Sequence, residues 1–160
     1  MNREILFKAK RKNWRELPKE KQWVEGYYCK IDETTYCVEE DYKRFPVPTH
    51  HYILQETMTD WGLPNRFLQF EIDPDTICQY TGLTDKNGKK IWENDIVVDK
   101  DNDYYKVFWN KNLCNYSLEC IKTEHLFLRG KRWDLYLFVQ NDTLKVIENI
   151  FDNPELLEVE

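Results

Sequence analysis

The chain has 160 residues, 41% of them hydrophobic and rich in aromatics (6 Trp, 10 Tyr, 8 Phe), which excludes a disordered tail and allows a core without metal or disulfide staples. Lys and Arg number 23 against 29 Asp and Glu, a net charge of −6. That balance weighs against nucleic acid as the main partner, because phosphate neutralisation supplies most of such affinity.

Taken in chain order, "EILFKAK" alternates Ile5, Phe7 and Ala9 against Leu6, Lys8 and Lys10, which predicts an opening strand. "RKNWRELPKEKQ" breaks it with charge and Pro18, and "WVEGYYCKI" returns as a strand of aromatic and β-branched residues. "DETTYCVEED" reads as a turn and short strand. Pro46 and Pro48 then favour an extended edge or loop. The polar segment "QETMTDWGLPNR" is expected as a surface loop, and "FLQFEID" as the next strand. Asp73 before Pro74 has the N-cap and N1 chemistry of a single helical turn.

After the strand "CQYTGL" comes "TDKNGK", in which Asn87-Gly88 predicts a type I′ turn. "KIWENDIVVD" follows with an expected alternation and a kink at Asn94. "YYKVFWN", "YSLECI", "WDLYLFV" and "LKVIENIF" are the remaining predicted strands, and "NPELLEVE" opens on a helical turn capped by Asn153. The reading is mainly β, with no internal repeat and no helix of convincing length. Residues 1–72 form an N-terminal β-rich region with a loop around 55–66, and 73–160 a second region.

Five cysteines (29, 37, 78, 114, 120) include no C-x-x-C pair. Their odd number suits free, mostly buried thiols in a reducing cytoplasm. "MNREILFKAKRKNW" turns charged before any apolar run develops, so no secretory leader is expected. No stretch reaches 18 apolar residues, so no membrane span is expected either.

Three segments together carry a family resemblance. "REILFKA" with "WVEGYY", then "IDPDTICQYTGLTDKNGKKIWENDIVV", then "VIENIFDNPELL" resemble, in that order, the YopX family of phage and prophage proteins. The resemblance implies a mostly β protein with a small SH3-like barrel in its C-terminal half and a tendency to form oligomers. It supplies no activity, cofactor or catalytic group. The chain departs from the family pattern where Cys78, Asn94 and Glu148 replace common glycines. Asn94 tolerates left-handed backbone, which supports the kink; Cys78 and Glu148 imply that glycine was not demanded at their positions.

The remaining constellations are weak. Asp99, Asp101 and Asp103 match the start of a calcium loop, but Tyr104 and Asn110 stand where Gly and Glu are needed. Cys114, Cys120 and His125, or His50-His51, lack the tight spacing of a structural zinc site. No nucleophile, phosphate-binding or zinc-protease motif is present, so no enzyme, metal or cofactor is expected. The head 8–15 places Lys8, Lys10, Arg11, Lys12 and Arg15 around Trp14. Basic residues beside an aromatic can meet phosphate and stack a base; a solvated loop is the plain alternative. Residues 1–22 carry eight Lys/Arg against three acids, and 141–160 six acids against Lys145, so unlike ends could attract within a chain or between copies.

The candidate interaction surface is therefore Lys8, Lys10, Arg11, Lys12, Trp14, Arg15, Trp92, Tyr104 and Tyr105. The expected function is a non-enzymatic, cytoplasmic interaction module of phage or prophage origin. Its expected partners are further copies of itself or a phage or host protein. The alternative is a nucleic-acid-binding small barrel.

Overall fold

The computed structural model describes residues 4–141 and 143–157. The protein is mainly β, with eleven antiparallel strands among the described residues, and its backbone divides into two compact units.

The unit Leu6–Ile77 is built on strands β1 (Phe7–Lys10), β2 (Trp23–Asp32), β3 (Thr49–Thr57) and β4 (Arg66–Glu71), ordered β4-β3-β2-β1. Antiparallel pairing brings Ala9 opposite Val24, and Ile53 opposite both Tyr28 and Phe70. Because side chains alternate along a strand, this register places Ala9, Val24 and Ile53 on one face. There they bury a core with Ile72, flanked by Phe7, Tyr28, Phe70 and Ile77. A single 3-10 turn spans Pro74–Thr76, and the Asp73 carboxylate accepts the N–H of Asp75 as expected of an N-cap.

Two sequence expectations fail in this unit. The polar start of 55–66 is strand, since β3 runs through Thr57. Instead of a short strand, Glu39–Arg44 forms a helix, α2, after the one-turn α1 (Lys19–Gln22). Acids fill its first turn and Lys43 and Arg44 its last, which complements the helix dipole. Lys43 also pairs with Glu39 at 3.3 Å. The Tyr42 hydroxyl accepts the N–H of Tyr36 and donates to its carbonyl, closing the preceding loop. Helix geometry stops at Arg44 because Phe45 precedes Pro46 and is pushed to extended backbone.

The second unit runs from Cys78 and also takes in the N-terminal residues up to Ile5. Strands β5 (Cys78–Thr84) and β6 (Lys90–Trp92) form a hairpin. Strands β7 (Asp95–Val98), β8 (Tyr104–Asn110), β9 (Asn115–Lys122), β10 (Arg132–Asp134) and β11 (Lys145–Asn149) form a sheet ordered β10-β9-β8-β7-β11. Its core gathers Ile91, Val97, Tyr105, Val107, Leu118, Leu135, Leu144 and Val146.

The predicted strand "WDLYLFV" is only β10, followed by helix α3 (Leu135–Gln140). Asp134 accepts the N–H of Tyr136 as N-cap. Leu135, Phe138 and Val139 then face the core at i, i+3 and i+4. The predicted I′ turn is also corrected. Gly88 alone takes positive φ (+78°), its N–H donates to the Asp85 carbonyl, and the N–H of Asp85 donates to the Lys89 carbonyl. This is the three-residue hairpin loop, which needs glycine only at its last position. Between β6 and β7 the expected alternation is absent, because Ile91, Trp92, Asp95, Ile96 and Val97 are all buried. The kink itself is present: Asn94 has φ +66°, while Cys78 and Glu148 are not among the positive-φ residues.

Candidate functional site

Of the nine residues named from sequence, Lys8, Lys10, Arg11, Lys12, Trp14 and Arg15 lie in the first unit and Trp92, Tyr104 and Tyr105 in the second. In the first unit Lys10 is buried, as are Trp92 and Tyr105 in the second, so none of the three is open to a macromolecular partner. Four of the five head cations lie over aromatic rings, the exposed Arg15 among them. Lys10 Nζ lies 3.9 Å from the centre of Trp14, the Arg15 guanidinium 4.6 Å from the same ring, and Arg11 4.2 Å from Phe70. Lys8 lies over Trp23 at 5.2 Å. The Trp14 indole N–H donates to Asp73 at 3.2 Å, which fixes the ring under both cations. Lys12 is exposed and pairs with Glu71 at 2.7 Å. Tyr104, half-buried, sits under Lys122.

Glu71 continues the charged chain. Its Oε1 also receives Nδ1 of His50 at 2.8 Å, and the other ring nitrogen of His50 meets Glu33 at 2.6 Å. A neutral imidazole donates once and an imidazolium twice, so the two carboxylates favour the charged form of His50. Hydrogen bonding to Glu33 first, then Glu71, raises its pKa above the ordinary histidine value. Hydrogen bonding to Lys12 first, then His50, lowers that of Glu71.

Sequence reasoning missed two features. The first is the outer strand of the N-terminal sheet. β4 ends the order β4-β3-β2-β1, residues 66–69 are exposed, and Phe67 and Leu68 are 53% and 47% accessible. Phe67 meets Tyr27 edge-on at 6.0 Å across the sheet. Met58, Trp61 and Leu63, in the loop leading into β4, are exposed as well. An accessible apolar edge strand is a template for pairing with another chain. Its signal in the sequence was "RFLQF", apolar residues on both faces of one strand.

The second feature is a cavity of about 710 Å³ in the second unit, bounded by the 99–103 turn, Tyr105, Leu128, Trp133 and Phe138. Tyr105, Trp133 and Phe138 form three mutual ring contacts, with centroids 5.5–6.2 Å apart. One Asp99 oxygen accepts the N–H groups of Asp101 and Asp103, and the other accepts the Tyr105 hydroxyl at 3.0 Å. Burial, then that bond to Asp99, raises the Tyr105 pKa strongly, so the phenol stays neutral. Burial likewise raises the Cys120 thiol, which disfavours its thiolate form. The five cysteines form no disulfide with one another; Cys78 and Cys120 are buried and Cys37 and Cys114 exposed. Among the described residues no three His, Cys, Asp or Glu side chains are placed to hold a metal ion. Nor is any helix there long and apolar enough to cross a membrane.

These units define a mainly β protein with an open sheet edge in one and an acid-lined aromatic cavity in the other. The family described as YopX protein matches residues 14–158, nearly the whole sequence, and the chain belongs to that family. Among solved structures, the crystal structure of protein EF1440 from Enterococcus faecalis is similar, with a TM-score of 0.50 and 19% identity. The match covers 98% of this chain and 100% of that one, and at this identity it speaks for the fold alone. No curated protein matches the sequence.

Proposed function

We propose that this protein is a non-enzymatic interaction module of phage or prophage origin that works as a homo-oligomer through its β4 edge. The observation that carries the reading is the exposed apolar edge of β4, where Phe67 and Leu68 are 53% and 47% accessible. If two copies pair this edge antiparallel, the two-fold axis runs through a residue, because opposed side chains share one face of the sheet; an axis at Leu68 sets it against its own copy. Arg66 then faces Phe70, and Phe67 faces Gln69. Cross-strand pairs of this kind each contribute about 0.2–1 kcal/mol, and a two-fold interface uses every off-axis pair twice. The exposed Phe67, Leu68 and the Met58–Leu63 loop supply the apolar area that strand addition needs.

Several features favour a role without chemistry. His50 is held between carboxylates, His51 Nδ1 is bonded to the Tyr28 hydroxyl at 2.7 Å, and the Cys120 thiol is kept protonated. The nucleic-acid alternative has less support. Lys10 is buried, and the Trp14 ring already carries Lys10 and Arg15. We propose the β7–β11 sheet as the counterpart of the SH3-like barrel that the family resemblance implies. The cytoplasm is the compartment we propose, because the cysteines form no disulfide with one another.

Light scattering across a concentration series tests the reading. The wild type is expected as a defined oligomer, with Leu68→Lys and Arg66→Glu shifted to monomer at unchanged melting temperature. A wild type monomeric at the highest concentration, or an oligomer indifferent to both substitutions, overturns it.

A further inference from the structure

We infer that the cavity between the 99–103 turn and the aromatic trio Tyr105, Trp133 and Phe138 binds a small organic ammonium ligand of the diamine or polyamine type. Two independent observations point to a cation. The walls are aromatic, and an ammonium is attracted to ring faces when it is withdrawn from water. The other observation is Asp103. It lines the cavity, is only 6% exposed, and its carboxylate accepts no hydrogen bond among the described residues. Asp99, by contrast, has both oxygens committed to two backbone N–H groups and the Tyr105 hydroxyl. It shapes the turn and pins the Tyr105 ring, and leaves Asp103 to meet a ligand.

The lining carries three carboxylates, at Asp99, Asp101 and Asp103, against the single ammonium of Lys100. An anion is thereby excluded. A bare metal ion lacks its coordination shell here, because no three ligating side chains converge among the described residues. A volume of about 710 Å³ falls in the range of small-molecule sites. Apolar carbons against Trp133, Phe138 and Leu128, with a charged head at Asp103 and Asp101 at the exposed rim, fit an alkyl ammonium. This site is independent of the β4 edge, and its test stands apart from that of oligomerisation.

The test is titration calorimetry of the full chain with putrescine, spermidine and choline, with 1,4-butanediol as uncharged control and a lysine-containing peptide as the competing source of the same chemistry. Saturable binding of at least one free ammonium is expected, with no binding of the diol. Asp103→Asn is expected to weaken it at least tenfold, and Phe138→Leu measurably. Asp101 is exposed, so Asp101→Asn cannot act through folding; it is expected to weaken the doubly charged ligands more than choline. Absence of saturable binding up to about 10 mM overturns the inference, that limit corresponding to about 2.7 kcal/mol. So does affinity unchanged in both Asp variants, or binding of the lysine peptide alone.

Discussion

The Asp85 carboxylate accepts the backbone N–H of Val146 at 2.9 Å, across 61 residues of chain. Its other oxygen accepts the N–H groups of Asn87 and Lys89. One side chain therefore closes the β5–β6 loop and fastens β11 beside it. Burial alone would raise the Asp85 pKa. The donors Val146, Asn87 and Lys89, with the Lys89 charge, outweigh it and hold the group below the ordinary carboxylate value. The stretch "TDKNGK" is thus a structural corner.

Asp85→Ala is expected to lower stability by about 1.5–3 kcal/mol, the range for hydrogen bonds to a charged group. Asp85→Asn should retain part of it. Since the folded pKa is depressed, this stabilisation is present above the unfolded carboxylate pKa and lost as pH falls through the folded one. Urea unfolding of wild type and Asp85→Ala at neutral and acid pH checks both points. Equal acid sensitivity of the two would show that Asp85 is not a source of it.

Asn94 offers a test of backbone geometry. At φ +66° its N–H donates to the Val107 carbonyl and its own carbonyl accepts from Ile150, so the kink joins β8 to the end of β11. Asn94→Gly is expected to leave stability within about 0.5 kcal/mol of wild type, because glycine relieves the left-handed cost but adds unfolded-state freedom. Asn94→Val should lose about 1–3 kcal/mol, since a β-branched residue resists this region. Equal stability of the two variants would contradict the reading.

Legibility of the sequence followed the range of the interactions. The Asp73-Pro74 turn and the Asn94 kink rest on contacts within a few residues, and both were read correctly. Helix α3 was readable too, from Asp134 as a cap and the spacing of Leu135, Phe138 and Val139. β-propensity of "YLFV" masked it. The site was less legible because it depends on distant partners. Asp103 looked like one more solvated acid of "DKDND" until the fold placed it in one cavity with Trp133 and Phe138. Lys10 looked like surface charge until Trp14 and Trp23 closed on it. No local pattern encodes which strand ends a sheet, so "RFLQF" marked an apolar strand without showing that it lies at an edge.

Gly26 is required for space, and its backbone φ is not in the positive region. A Cβ there would lie 2.2 Å from the Leu54 carbonyl oxygen and 2.9 Å from its carbon, on the β2–β3 ladder that carries the N-terminal core. Backbone atoms cannot turn aside as a side chain can, so Gly26→Ala must separate the two strands. The expected loss is about 1–3 kcal/mol or more, read by hydrogen exchange as faster opening of β2 and β3. Unchanged protection there would show that the ladder adjusts freely.

The last prediction concerns pH and the chain Lys12–Glu71–His50–Glu33. His50 has a raised pKa, so its stabilisation is complete below the ordinary value of 6.5 and is lost as pH rises through the folded one. Glu71 has a lowered pKa, so its share is complete above the ordinary 4.5 and is lost as pH falls through the folded one. Between those ordinary values the four groups tie the segment after β2, the start of β3, the end of β4 and the head together. His50→Gln should lower the melting temperature near pH 5.5 and abolish the step that wild type shows on the alkaline side. The acid-side loss from Glu71 should persist in the variant, because its first partner is Lys12. Melting curves for both proteins from pH 4 to 9 decide it. Parallel profiles would mean that the carboxylates on either side of His50 contribute nothing to holding these segments together.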